Sequence, residues 1–221
     1  KTTDGGVSWN TLTSGVASSI TGIEFTDENT GYFTAPTGVV RKSTNGGTSW
    51  NGLTTGLATN ITGVSFPNAN TGFITSTAGN MRKTINAGTN WSALTTGTAN
   101  LLNAVTFVDD NTGYAVGATG TIIKTTNGGT NWSTQTSGTT NSLASVRFGN
   151  ANNGIAVGAA GTILVTTNGG TNWTAQTSNS TTAMRNSFIQ PNGNIVVVGG
   201  VGTILYSNDQ VLPIELASFT S

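Results

Sequence analysis

Tryptophan stands at positions 9, 50, 91, 132 and 173, each 41 residues after the last. Self-similarity at a period of this size belongs to stacked supersecondary units, in which each unit buries a face against its neighbours. Every tryptophan closes a near copy of the phrase Lys124-Thr125-Thr126-Asn127-Gly128-Gly129-Thr130-Asn131-Trp132. The other copies open at Lys1, Lys42, Lys83 and Val165.

Within one period, short apolar runs alternate with turn residues, the pattern of an all-β unit. The spacing predicts strands at Leu102 to Val108, Gly113 to Val116, Thr121 to Thr125 and Trp132 to Thr136. Asp109-Asp110-Asn111-Thr112 supplies the first turn. Asn127-Gly128-Gly129 supplies the last, with residues that tolerate positive φ and an amide able to bond local backbone N–H groups. The first-turn segments Phe25 to Tyr32, Phe66 to Phe73, Phe107 to Tyr114 and Phe148 to Ile155 align, as does a glycine column at 38, 79, 120, 161 and 202. A four-stranded twisted sheet repeated in this way predicts propeller blades, each covering the next.

The phase of the two ends predicts how the ring closes. Counting from Lys1 gives an orphan fourth strand at Ser8 to Thr13, four complete sets, and three last strands ending at Gly202 to Tyr206. The expected fold is therefore an all-β, five-bladed β-propeller over residues 1–206, its last blade completed by the N-terminal strand, which would remove two open edges. Ser207-Asn208-Asp209 begins a further copy that fails at Gln210 and Val211, so residues 207–221 read as a tail or linker. The chain opens inside a repeat without an initiator Met, as a fragment or processed product would.

Eight basic and eight acidic side chains cancel in 221 residues. That balance gives no footprint for nucleic acid or an anionic membrane surface, and no apolar run reaches the length of a membrane span. Cysteine and histidine are both missing. Thiolate and imidazole catalysis and the usual zinc sets are thereby excluded.

Thr125-x-Asn127-x-Gly129-x-x-Trp132, and still more closely Thr2-x-Asp4-x-Gly6-x-x-Trp9, resembles the Asp-box, or bacterial neuraminidase repeat. The unit from Phe107 through Gly113-Tyr114-Ala115-Val116-Gly117 to Trp132 is similar to repeats of the photosystem II assembly and stability factor family. Together these resemblances span residues 1–206 and imply a propeller. The box they imply is Asp4 with Trp9, Asn45 with Trp50, Asn86 with Trp91, Asn127 with Trp132, and Asn168 with Trp173. Four boxes carry Asn in place of the family's Asp, and calcium needs six to eight oxygens with several carboxylates. These positions therefore read as hairpin clamps, with no metal or cofactor expected. The tail Leu212 to Thr220 resembles the junction before sorting regions of type IX secreted proteins of Bacteroidetes, which implies an exported, extracellular or cell-surface protein.

Catalysis is not expected. A glycosidase needs two carboxylates flanking one bond, whereas Asp27, Glu28, Asp109 and Asp110 fall in first turns of blades. A sialidase needs an arginine cluster; Arg41 and Arg82 occupy one third-strand position, expected to face solvent, apart from Arg147 and Arg185. Charge-free loops at residues 13–19, 54–60, 95–100, 137–141 and 178–182 suit neutral glycan. Near the axis, Glu24, Ser65, Thr106, Arg147 and Phe188 share one repeat position, where Glu24 and Arg147 break the repeat's chemistry and form the candidate axial site. The reading is a non-catalytic secreted or surface module binding glycan or protein, within a larger surface protein or assembly. An assembly factor for a membrane protein complex is the alternative, and a sialidase-like hydrolase is disfavoured.

Overall fold

The computed structural model describes residues 1–190 and 192–207, and the backbone of 216–218. The first sheet is β1 (Gly22–Phe25), β2 (Gly31–Ala35), β3 (Val39–Ser43) and β4 (Asn51–Leu53); the second is β5 (Ile61–Ser65), β6 (Gly72–Ser76), β7 (Met81–Thr84) and β8 (Ser92–Leu94). The third is β9 (Leu102–Phe107), β10 (Gly113–Gly117), β11 (Ile122–Thr125) and β12 (Ser133–Gln135), and the fourth β13 (Leu143–Phe148), β14 (Gly154–Gly158), β15 (Ile163–Thr166) and β16 (Thr174–Gln176). The fifth is β17 (Met184–Ile189), β18 (Ile195–Gly199), β19 (Ile204–Ser207) and β20 (Leu216–Ser218). Each sheet is an antiparallel meander in chain order, as the 41-residue period predicts for propeller blades.

Burial follows from stacking blade on blade. In the first four blades every residue of the second strand is buried. Both faces are covered, so these strands do not alternate apolar with polar as a half-solvated strand would. The core is divided among the blade junctions: Leu143 and Val146 of the fourth blade pack on Val116 and Ile122 of the third, and Met184 of the fifth on Val157 and Ile163 of the fourth. Aromatic pairs repeat at the rim. Tyr32 stacks on Phe66, Phe73 on Phe107 and Tyr114 on Phe148, with ring centroids 3.7, 3.9 and 3.9 Å apart. The glycine that opens the second strand in each of the first four blades makes room for a phenylalanine ring; a Cβ at Gly113 would lie 2.5 Å from Phe107.

The N-terminal strand does not close the fifth blade. The free edge of β19 pairs with β20 instead, Leu205 opposite Ser218 and Ser207 opposite Leu216. Ser8 to Thr13 joins no sheet. It is held in its own turn, where the Lys1 α-amine donates to Asn10 O at 2.7 Å and Asn10 N returns a bond to Lys1 O at 2.8 Å. Its outer anchor lies on the first blade, where Lys1 Nζ donates to Gly46 O at 3.3 Å. Three residues of the stretch expected to be a linker therefore complete the last sheet. The failed sixth copy after Ser207, and most of the sorting-like stretch Leu212 to Thr220, lie outside the described residues.

Candidate functional site

The recurrent turn behaves as a clamp at every copy. Asn127 Oδ1 accepts from Asn131 N at 2.9 Å and from the Thr125 hydroxyl at 3.0 Å, while Gly129 N donates to Thr125 Oγ1 at 3.0 Å. Asn45, Asn86 and Asn168 make the same set of bonds. In the first copy Asp4 accepts from Ser8 N, the Ser8 hydroxyl and the Thr2 hydroxyl, and these donors hold its carboxyl well below the usual range. Trp50, Trp91, Trp132 and Trp173 meet Phe25, Phe66, Phe107 and Phe148 edge to face, with centroids near 6 Å. Among the described residues Trp9 has no such partner, and it is 72% exposed.

Sequence reasoning passed over the lysine that opens four of the five copies. Lys42 Nζ donates to Ala87 O, Lys83 Nζ to Gly128 O and Lys124 Nζ to Gly169 O, at 3.3, 2.6 and 2.6 Å, each bond reaching the next blade's turn. Each ammonium also lies over an aromatic face, 5.4 to 5.5 Å from the ring centre. The Tyr114 hydroxyl reaches Gly169 O beside Lys124, and burial pushes its phenol up to about 12. The signal was the 41-residue recurrence of Lys itself. Arg41 and Arg82 also depart from expectation: they donate to Gly15 O and Gly56 O at 3.1 and 3.0 Å, tying blade-connecting loops to third strands rather than pointing free into solvent.

Some polar groups of the loops expected to suit glycan bond the turns that lead into the third strands. Thr55 and Thr96 hydroxyls donate to Gly38 O and Gly79 O, and Asn141 Nδ2 to Thr162 Oγ1. A shallow neutral groove of about 490 Å³ remains beside Asn141, Ala160 and Ser178.

A concavity lies where the first strands of all five blades converge. Its volume is about 650 Å³, and its charged lining groups are Glu24, Arg147 and Arg185, with Asn103 and Asn186 beside them. The fold thus brings together Glu24 and Arg147, the expected axial pair, and adds Arg185. Phe188, from the same repeat position, is not among the lining residues and is exposed. Glu24 Oε1 accepts from Phe66 N at 3.0 Å. Burial raises its carboxyl above the ordinary glutamate value, while the Phe66 N–H and the Arg147 charge pull it back down. Arg147 keeps its guanidinium exposed to the cavity, with one long bond of 3.4 Å to Val146 O. An exposed guanidinium beside amides, over backbone edges, can take a carboxylate in two parallel bonds.

A profile of the family described as "Photosynthesis system II assembly factor YCF48" matches residues 87–181, less than half of the chain. No curated protein matches the sequence. Among solved structures, the chain is similar to YCF48 bound to D1 peptide, at 18% identity and a TM-score of 0.75 over 94% of this chain and 69% of that one. It is similar to YCF48 from Cyanidioschyzon merolae at 22% identity and a TM-score of 0.74, over 91% and 72% of the two chains. An ancestral GH74 enzyme aligns at 19% identity and a TM-score of 0.73, over 95% of this chain but only 32% of that one. At these identities the likeness establishes the fold, a β-propeller of the neuraminidase-repeat type.

Proposed function

We propose that this chain is a non-catalytic, protein-binding propeller that holds an acidic peptide segment of a client protein in its axial cavity, as an assembly or stability factor does. The observation that carries this reading is the pair of arginines, Arg147 and Arg185, at a cavity of about 650 Å³ opposite one half-buried carboxylate, Glu24. Two guanidiniums favour an anionic segment, and Glu24 disfavours a second acidic group on its own side, which gives the bound chain a direction. Support also comes from the partial match to the assembly-factor family and from the peptide bound to one similar propeller. This reading reverses the order expected from sequence, in which glycan or surface binding stood first. Export to the cell surface, which the tail resemblance implied, stays compatible with a client of this kind.

Calorimetric titration tests the proposal. A short peptide with acidic residues and a free C-terminal carboxylate is compared with its amidated, Asn/Gln counterpart and with a panel of neutral oligosaccharides. The acidic peptide alone should bind, and Arg147→Ala with Arg185→Ala should weaken it by about tenfold or more. Equal binding of the neutral peptide, or binding of oligosaccharide that survives both substitutions, would overturn the reading.

A further inference from the structure

Asparagine followed by glycine is the dipeptide in which a side-chain amide is lost most readily, because glycine has no Cβ to hinder its nitrogen from attacking the preceding side chain. The chain holds six such pairs, opening at Asn45, Asn51, Asn127, Asn153, Asn168 and Asn192. The reaction asks for two freedoms. The asparagine Cγ must swing toward the glycine nitrogen, and that nitrogen must be clear of any hydrogen bond of its own.

Five of the pairs lack one freedom or both. In the recurrent turns Asn45, Asn127 and Asn168 are held through Oδ1 by the N–H four residues on and by the hydroxyl of Ser43, Thr125 or Thr166. The glycine that follows each donates its N–H to the first turn of the same blade: Gly46 to Asn29 O, Gly128 to Asn111 O and Gly169 to Asn152 O, at 2.8, 2.8 and 2.9 Å. Gly154 is buried in β14, paired with Phe148 on one side and Thr166 on the other. Asn192 Oδ1 accepts from Asn194 N at 3.1 Å, and Gly193 N donates to Gln190 O at 2.9 Å.

Asn51 and Gly52 are held by neither device. Asn51 is exposed at the start of β4, the outer edge of the first sheet, and its side chain makes no hydrogen bond among the described residues. Hydrogen-bonded pairs alternate with non-bonded ones along an antiparallel ladder. One repeat earlier, Lys1 and Asn10 exchange both of their backbone bonds, which makes Lys42 with Asn51 the bonded pair and Arg41 with Gly52 the open one. The Gly52 N–H therefore points away from β3, off the free edge, where a Cβ on Gly52 would meet no atom within 4 Å.

We propose that Asn51 is a site of spontaneous covalent modification, at which the folded chain loses an amide that its recurrent turns keep. Gly52 N bonds to Asn51 Cγ as the Cγ–Nδ2 bond breaks, and ammonia leaves with the proton that the Gly52 nitrogen gives up. Water then opens the cyclic imide at either carbonyl, to aspartate or to isoaspartate, whose main chain is one methylene longer. The aspartate product sets a carboxylate directly opposite Lys42 on the same face of the sheet, where it competes with Ala87 O for the ammonium.

The test is a time course of the folded full chain at mildly alkaline pH, its peptides mapped by mass spectrometry with fragmentation that separates aspartate from isoaspartate. Asn51 should convert faster than each of the other five by about tenfold or more, since those must first open locally. In urea all six should convert at similar rates, because the protection belongs to the fold. Gly52→Ala fits its open surroundings; it should suppress conversion at Asn51 and leave the circular dichroism of the protein unchanged. Conversion in the folded chain no faster at Asn51 than at Asn45, Asn127 or Asn168, or a preference for Asn51 that persists undiminished in urea, would overturn the inference.

Discussion

Lys83 Nζ donates to Gly128 O across a blade junction at 2.6 Å, 45 residues away in sequence, with the ammonium 5.4 Å above the Phe73 ring. The bond caps a turn carbonyl that would otherwise have no strand partner, and the stem of the lysine covers apolar surface on the way. Lys83→Met keeps the stem and removes the donor. It should cost about 1.5 to 3 kcal/mol, the usual range for a hydrogen bond from a charged group, measured by urea unfolding. A loss within error would mean that the lysine column is decorative.

Ala87 holds φ at 55° where the other copies of the turn place Gly5 at 70° and Gly46, Gly128 and Gly169 at 63°. An L side chain in this region costs roughly 1 to 2 kcal/mol, against a smaller entropic cost for glycine. Ala87→Gly should therefore raise stability by about 0.5 to 1 kcal/mol, read as an increase in Tm. A decrease would place the strain elsewhere.

Asp109 Oδ1 accepts from Asn111 N and Thr112 N, both at 2.7 Å, and these bonds lower its carboxyl below the ordinary aspartate value. The stabilisation is present above the unfolded aspartate pKa and is lost as pH falls through the lowered native one. Asn150 makes the same two bonds one repeat later, at 2.9 Å each. Asp109→Asn should thus match the parent at neutral pH and lose this acid sensitivity, while Asp109→Ala should cost about 1 kcal/mol at neutral pH and progressively less as the parent's own carboxyl is protonated. Stability curves against pH decide between them.

Glu24 titrates in the opposite sense. Burial raises its native pKa, so the folded state holds a proton that the unfolded state releases, and stability falls as pH rises through the raised value. Glu24→Gln retains an acceptor for Phe66 N. It should be at least as stable as the parent above that window and should flatten this part of the pH profile. A variant less stable at neutral pH would show that the ionised carboxylate is favoured by Arg147 more strongly than burial opposes it.

The blades, their number and their strand order were legible because periodicity survives in any window of the chain: five tryptophans, the Thr-Gly-aromatic column and the glycine turns each mark one strand boundary. The placing of Glu24 and Arg147 at one axial cavity was legible for the same reason, since one repeat position puts them on equivalent first strands. Closure was not. Counting strands treats the end of a repeat as a vacancy, but Leu216–Ser218 takes the edge of β19, and short segments carry too little pattern to rank their pairing. Arg185 stayed hidden because it sits two residues before Ser187 on a strand whose register shifts between Met184 and Asn186. Such an irregularity re-aims a side chain with no mark in composition. The role of the lysines was missed because a charged residue reads as solvated until the neighbouring blade brings its carbonyl.

Backbone amide chemical shifts of the labelled full chain, followed as the acidic peptide is added, test the central claim most directly. Saturable changes should concentrate on β1, β5, β9, β13 and the start of β17, around Glu24, Arg147 and Arg185, and should vanish in the Arg147→Ala, Arg185→Ala double variant. Changes centred instead on the turns at Asn45, Asn86, Asn127 and Asn168, or on the loops at 54–60 and 137–141, would contradict it.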